Sequence, residues 1–222
     1  MENPKEYIFK KCLFLGREFY IDKKVHIPRK NTEPLVKLAL NHIKKIKQKV
    51  ICADIGTGAG VIAIILVLEN PFVKKVFATD IHKASLSTTK RNIEKYNLKN
   101  KIIIKKGNLL NPIKNKKIDI IIANLPHASE EVFKKKRYLS LEHKKSTFAG
   151  KSGLEMLESF LKQLSKYKFL NRVSAIFFKI SPTKKEESVN LVKKYLPNRK
   201  IRIKKDFEGK HRYLTIGKQM TR

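Results

Sequence analysis

The chain has 222 residues, of which 41% are hydrophobic and 32% charged, and a formal net charge of +32. That length suits one domain with a short appendage, and apolar runs such as VICADI, KIDIIIAN and SAIFFKI exclude a wholly disordered chain. None of these runs approaches the ~20 apolar residues that a membrane helix needs, so no membrane association is expected.

In chain order, residues 12–25 read as a short hairpin, followed by Pro28 and a helix from about 32 to 47. From residue 50 the pattern alternates between apolar runs bounded by turns and amphipathic stretches at helical spacing. Strands are expected at 50–55, 75–80, 101–106, 117–124, 173–180, 200–207 and 213–218. Helices are expected at 61–69, 83–96, 153–166 and 184–195. Strands alternating with helices imply a mostly parallel seven-stranded sheet covered on both faces. The last two strands, joined by Glu208, Gly209 and Lys210, are expected to be antiparallel. Residues 1–48 thus form a hairpin-and-helix extension packed on a main domain at 49–222. Between Pro126 and Gly153 lies a long segment with basic clusters at 134–137 and 144–145, of a length that often carries function.

Cys12 and Cys52 form no CxxC pair and no metal-ligand cluster, and they read as buried thiols in a reducing compartment. With no signal-peptide pattern at the start, a cytoplasmic protein is expected. The charge attracts phosphate backbones. Of the 51 basic residues, however, 42 are lysine, with Ile and Asn also frequent, a bias that an AT-rich genome produces without selection for binding. Contact with nucleic acid or the ribosome therefore stays open.

The sharpest local signal is Asp54-Ile55-Gly56-Thr57-Gly58-Ala59-Gly60, between the first main-domain strand and its helix. Glycines let backbone turn tightly and approach a ligand near a helix N-terminus. The third glycine comes one residue earlier than in a dinucleotide G-x-G-x-x-G, with Val61 in the sixth place, which suits a cofactor without a pyrophosphate. Asp80 ends the second strand, where its carboxylate can take two hydrogen bonds from a ribose diol, and it also reads as a helix cap. Asp54 is placed to face a cofactor amino group. Thr57 and Ile81, beside these residues, belong to the same candidate site, and so do Asn108 and Leu109 after the third strand.

At the end of the fourth strand stands Asn124-Leu125-Pro126-His127. It resembles the (Asn/Asp/Ser)-Pro-Pro-(Tyr/Phe) motif of S-adenosylmethionine-dependent methyltransferases that act on planar amide or amino nitrogens. Phe14-Leu15-Gly16-Arg17-Glu18-Phe19-Tyr20 with His26-Ile27-Pro28-Arg29-Lys30-Asn31-Thr32-Glu33 resembles the region of the HemK/PrmC protein-(glutamine-N5) methyltransferases that ends in IPRPETE. Ala149-Gly150-Lys151-Ser152-Gly153-Leu154-Glu155 is similar to that family's "f.GG.dGLe" segment, and Lys205–Arg212 to its "kDl.G.dR" ending. The resemblance covers about residues 12–218.

The resemblance implies a Rossmann-like class I methyltransferase fold with S-adenosyl-L-methionine as cofactor. Asp54, Gly56, Thr57, Gly58, Gly60, Asp80, Ile81, Asn108, Leu109 and Asn124 would bind it, with Asn108 in the place of an Asp that accepts from the adenine amino group. The implied reaction methylates the side-chain amide of the Gly-Gly-Gln glutamine of a peptide-chain release factor. Asn124 would hold the amide, while Pro126 and His127 would shape the slot. Arg29, Thr32, Glu33 and Leu125 would lie at the substrate side, although Thr32 and Glu33 also read as a helix start.

Three departures stand out. N-P-P-Y has become N-L-P-H, which puts in the tyrosine's place a ring that can still stack but, unlike a tyrosine, can also titrate near neutrality. IPRPETE has become IPRKNTE, losing a proline and a carboxylate. The family's helical front domain has no counterpart ahead of residue 12, so a docking or activating partner is expected, and a monomer otherwise. Two further readings remain: an adenine or guanine N-methyltransferase acting on ribosomal or other nucleic acid, which the charge favours, and a binding protein that has lost catalysis.

Overall fold

The computed structural model describes residues 4–135 and 148–218. Of the basic clusters singled out in the sequence, Lys136, Arg137, Lys144 and Lys145 lie outside the described residues.

Helix α1 (Lys5–Ile8) leads into a hairpin of β1 (Lys11–Phe14) and β2 (Arg17–Tyr20). Its two-residue turn, Leu15 and Gly16, has positive φ at both positions, the geometry that matches strand twist. Helix α2 (Glu33–Ile46) buries Leu35, Val36, Ala39, Leu40 and Ile43, an apolar stripe at helical spacing, and ends at Lys47 in the left-handed region. The remaining elements are β3 (Val50–Ile55), α3 (Val61–Glu69), β4 (Val73–Asp80), α4 (Lys83–Lys95), β5 (Ile102–Lys106), β6 (Ile120–Ala123), α5 (Glu130–Lys135), α6 (Glu155–Lys166), β7 (Ala175–Lys179), α7 (Lys185–Tyr195), β8 (Arg199–Lys205) and β9 (His211–Lys218).

Seven strands form one sheet in the order β5-β4-β3-β6-β7-β9-β8. The first five run parallel, and β9 is antiparallel to both β7 and β8. This is the expected Rossmann-like sheet. Parallel strands buried on both faces read as unbroken apolar runs, and β6 and β7 are buried at every position. One core joins the hairpin, α2, α3 and α4 on one face, and a second joins α6 and α7 on the other. Phe14 and Phe19 of the hairpin are buried in the first core, each worth about 1.5–3 kcal/mol of transfer free energy.

Strand order reverses between β3 and β6, whose neighbours lie on opposite sides. In an open α/β sheet the crevice beyond the carboxyl ends of the strands at such a point is where ligands bind. The glycine turn after β3, Asp80 at the end of β4, Asn108 after β5 and Asn124 after β6 all fall there. Among the described residues no helix is long and apolar enough to cross a membrane.

Candidate active site

The turn after β3 is stitched to its neighbours. The amides of Gly56 and Thr57 both donate to the Thr79 carbonyl at 2.9 Å, and the Gly58 amide donates to Asp80 Oδ2 at 3.0 Å. From α4, Thr89 Oγ1 donates to the Gly58 carbonyl and Asn92 Nδ2 to the Ala59 carbonyl, both at 2.8 Å. Gly56 has φ +71, a conformation that side chains rarely adopt, and Leu125 Cδ2 takes the space beside it, 2.6 Å from where a Cβ would lie.

Two carboxylates flank the turn. Asp54 is fully buried, and its Oδ2 accepts from Thr57 Oγ1 at 2.6 Å and from the Ala63 amide at 3.2 Å. Its Oδ1 is buried with no hydrogen-bond partner among the described residues. Burial pushes the Asp54 carboxyl up to about 7, against the pull of those two donors. Asp80 Oδ1 accepts from the His82 amide at 2.9 Å, where α4 begins, and Oδ2 from Gly58. The cap and the ligand reading therefore coexist, because each carboxylate oxygen keeps a second lone pair. Ile81, next in sequence, is 55% exposed.

These residues line an open cleft of about 880 Å³. Gly56, Thr57, Gly58, Asp80, Ile81, Asn108, Leu109, Asn124, Leu125, Pro126 and Thr32 all contribute to its wall. Asp54 and Gly60 stand behind it, in the core and at the start of α3. Sequence reasoning gave no role to His26, Pro28, Ser85 and Met156, which also line the cleft. For His26 and Pro28 the signal was available, since both sit in the stretch that carries the IPR motif.

Asn124 follows β6 directly. Its Nδ2 donates to Thr32 Oγ1 at 3.2 Å, while its Oδ1 carries no hydrogen bond among the described residues. Leu125 is 3% exposed. The loop beyond is braced by the segment before α6: the Ala149 amide donates to the Ala128 carbonyl at 2.9 Å, and Glu155 Oε1 accepts from the Ser152 amide. Gly153, at φ +84, lies so close that a Cβ would come within 3.0 Å of the Ser129 amide nitrogen and 3.1 Å of the His127 carbonyl. Gly153→Ala is therefore expected to cost about 1–3 kcal/mol through left-handed strain and crowding, lowering Tm by several degrees in a thermal melt.

His127 departs from expectation. Its Nδ1–H donates to the Leu125 carbonyl at 3.0 Å, fixing the tautomer with Nε2 as acceptor. Burial first, then the nearby Lys179, Arg212 and His26, holds it far below the ordinary imidazole range. The ring is neutral at pH 7 and does not titrate near neutrality, and it is not part of the cleft wall. Arg29 and Glu33 do not line the cleft either. Glu33 Oε1 accepts from the Leu15 amide at 3.2 Å, pinning the hairpin turn to the start of α2.

A family profile described as a methyltransferase domain matches residues 37–125. A release factor glutamine methyltransferase from Clostridium botulinum is 33% identical over 97% of this chain and 76% of its own length. One from Bacillus anthracis is 30% identical over 94% of this chain and 74% of its own length. The chain belongs to the release factor glutamine methyltransferase family. Solved structures share the fold at lower identity: the hMettl16 catalytic domain in complex with a MAT2A 3′UTR hairpin has a TM-score of 0.69 at 15% identity, covering 96% of this chain and 88% of that one. The ribosomal protein L11 methylase of Lactobacillus delbrueckii subsp. bulgaricus has a TM-score of 0.64 at 20% identity, covering 90% and 84%.

As a member of the release factor glutamine methyltransferase family, the chain is a methyltransferase with S-adenosylmethionine as cofactor. The residues present fit that group. The unpartnered, buried Asp54 Oδ1 lacks a cationic donor, which an ammonium supplies. Asp80 retains acceptor capacity for a diol, and Ile81 offers exposed apolar surface for a flat ring.

Proposed function

We propose that this chain methylates the side-chain amide nitrogen of the Gly-Gly-Gln glutamine of a peptide-chain release factor, working in the cytoplasm as a monomer that a docking partner assists. The observation that carries this reading is Asn124 on the cleft wall, its NH₂ end tied to Thr32 and its Oδ1 unbonded. An amide nitrogen is a poor nucleophile because its lone pair is delocalised into the carbonyl. Asn124 Oδ1 accepts one substrate N–H and a loop carbonyl accepts the other. That pins the nitrogen, disfavours delocalisation, and leaves the lone pair to form the new N–C bond as the methyl's bond to sulfur breaks, after which the nitrogen gives up one proton to solvent. Bound S-adenosylmethionine supplies an electrophilic methyl group. The chain's own contribution is alignment and a preorganised dipole. Pro126 stiffens the loop, and Leu125 seats it on Gly56. Asp54, Asp80, Ile81, Asn108 and Leu109 hold the cofactor, with Asp54 at its amino group and Asp80 at its ribose.

The net charge of +32 favours a second reading, a nucleic-acid base methyltransferase, in which the same acceptor holds an exocyclic amino group of a flipped base. One radiolabel experiment separates the two. The substrates are purified release factor, the same factor with its Gly-Gly-Gln glutamine changed to alanine, and total ribosomal RNA. Label on the first alone is expected; label on RNA alone would transfer the assignment to the second reading.

A further inference from the structure

Lys179 ends β7 only 4% exposed, a costly place for a lysine. Its Nζ donates to Asn31 Oδ1 at 2.7 Å and lies a longer 3.4 Å from Thr32 Oγ1. The same Thr32 oxygen accepts from Asn124 Nδ2 at 3.2 Å. From β9, Tyr213 OH donates to the Asn31 carbonyl at 2.9 Å, so Asn31 and Thr32 are held as a fixed bridge between β7 and the loop after β6.

We propose that Lys179 is a positioning residue that sets, through the Thr32 hydroxyl, which end of the Asn124 amide faces the cleft. This rests on the reading of Asn124 as the acceptor that holds the substrate nitrogen. An asparagine amide fits either way round unless its neighbour is fixed as donor or acceptor. As a neutral amine, Lys179 offers a lone pair, and the Thr32 hydroxyl hydrogen goes to it. Thr32 then presents only lone pairs to Asn124, Nδ2 turns to Thr32, and Oδ1 is left in the cleft. As an ammonium, Lys179 has no lone pair. The Thr32 hydrogen is released to donate to Asn124 Oδ1, and the NH₂ end, which cannot accept a substrate N–H, turns to the cleft.

The surroundings place this switch within reach of neutral pH. Burial, then Arg212 on β9 and Arg29 ahead of α2, pushes Lys179 down to about 7, with Asp206 in the β8–β9 turn opposing. Asp206 is already paired with Arg212 at 2.6 Å. His127, in the loop after β6, also faces Lys179 and is neutral. Where the resembling IPRPETE motif has a carboxylate, this chain has Asn31, so the closest acceptor to Lys179 carries no counter-charge.

Two readouts test the proposal on the full chain. In the first, kcat for methyl transfer to release factor rises with pH through a midpoint near 7. Lys179→Met removes that limb, and Asn31→Asp, which restores a carboxylate, moves the midpoint up by about one pH unit or more. A limb that survives unchanged in both variants overturns the proposal. The second readout needs no substrate: the side-chain ¹⁵N–H resonances of Asn124 are followed against pH. They are expected to shift with the same midpoint in the wild type and to stay put in folded Lys179→Met. Resonances indifferent to pH in the wild type also overturn the proposal. If the resonances titrate as described while release factor takes no label, the positioning role stands and the substrate assignment is what fails.

Discussion

Asn124→Ala is expected to lower kcat for methyl transfer about 10³-fold, the scale of losing one preorganised polar contact together with substrate alignment. Cofactor affinity is expected to change by no more than a few-fold, because the glycine turn is held by β4 and α4, Asp80 by the Gly58 and His82 amides, and Asp54 by Thr57 and the Ala63 amide, none of them by Asn124. The fold should be nearly indifferent. The variant deletes one hydrogen bond, to Thr32, worth about 1 kcal/mol, and Thr32 keeps Lys179 as a partner. Single-turnover transfer and titration calorimetry with the cofactor give the two numbers. A fall in kcat below tenfold would remove Asn124 from the centre of the reaction. Loss of cofactor binding in step with kcat would reassign it to the cofactor.

Local signals carried most of the fold. The strand expected at 50–55 and the helix at 61–69 are β3 and α3 to the residue, because an apolar run stops at Gly56 and resumes after Gly60. The strand expected at 117–124 is shorter, Ile120–Ala123. Asp119, ahead of it, instead uses its carboxylate to accept from the Ile51 amide and to pair with Arg172. The helix expected from 153 starts at Glu155, since Gly153 is left-handed where it meets the loop after β6. The helices α1 and α5 gave no sequence signal, being four and six residues long with no buried face.

The candidate site divides the same way. Asp54, the glycine turn and Asp80 were legible because each sits where a strand ends and its neighbours are close in sequence. What was not legible depends on distant pairs. Lys179 and Asn31 are 148 positions apart, and nothing in FFKI says that the lysine turns inward. Asn92, fully buried on α4, carries no signal of its own in the pattern that marks the helix. It exchanges two hydrogen bonds with the Tyr20 backbone and donates a third to the Ala59 carbonyl, tying the hairpin to the glycine turn. Of the two options that residue type leaves open for His127, stacking and titration, the structure removes the second. An imidazole titrates near neutrality in water, but here burial and neighbouring cations remove that option.

Asp54→Asn is expected to weaken S-adenosylmethionine binding by about 10- to 100-fold, the range for losing a charge-assisted hydrogen bond to a buried group. The same substitution is expected to stabilise the ligand-free protein near pH 8. The sign follows from the raised carboxyl. With the folded-state value at about 7 and the unfolded one near the ordinary carboxylate value of 3.8, the folded chain holds a proton that the unfolded chain has lost between those limits. Stability of the ligand-free protein therefore falls as pH rises from about 4 to 7, and what remains above is a buried, half-satisfied carboxylate. Cofactor binding runs the other way. Its ammonium favours the ionised carboxylate, so affinity rises with pH up to about 7, the charge on Asp54 being costly when the cleft is empty and useful when it is filled. Asparagine has no proton to lose, so both slopes should flatten in the variant. Thermal melts and calorimetric titrations between about pH 5.5 and 7.5 read the two slopes on one sample. Parallel slopes in wild type and Asp54→Asn would mean that another group titrates and that Asp54 Oδ1 finds its partner inside the protein.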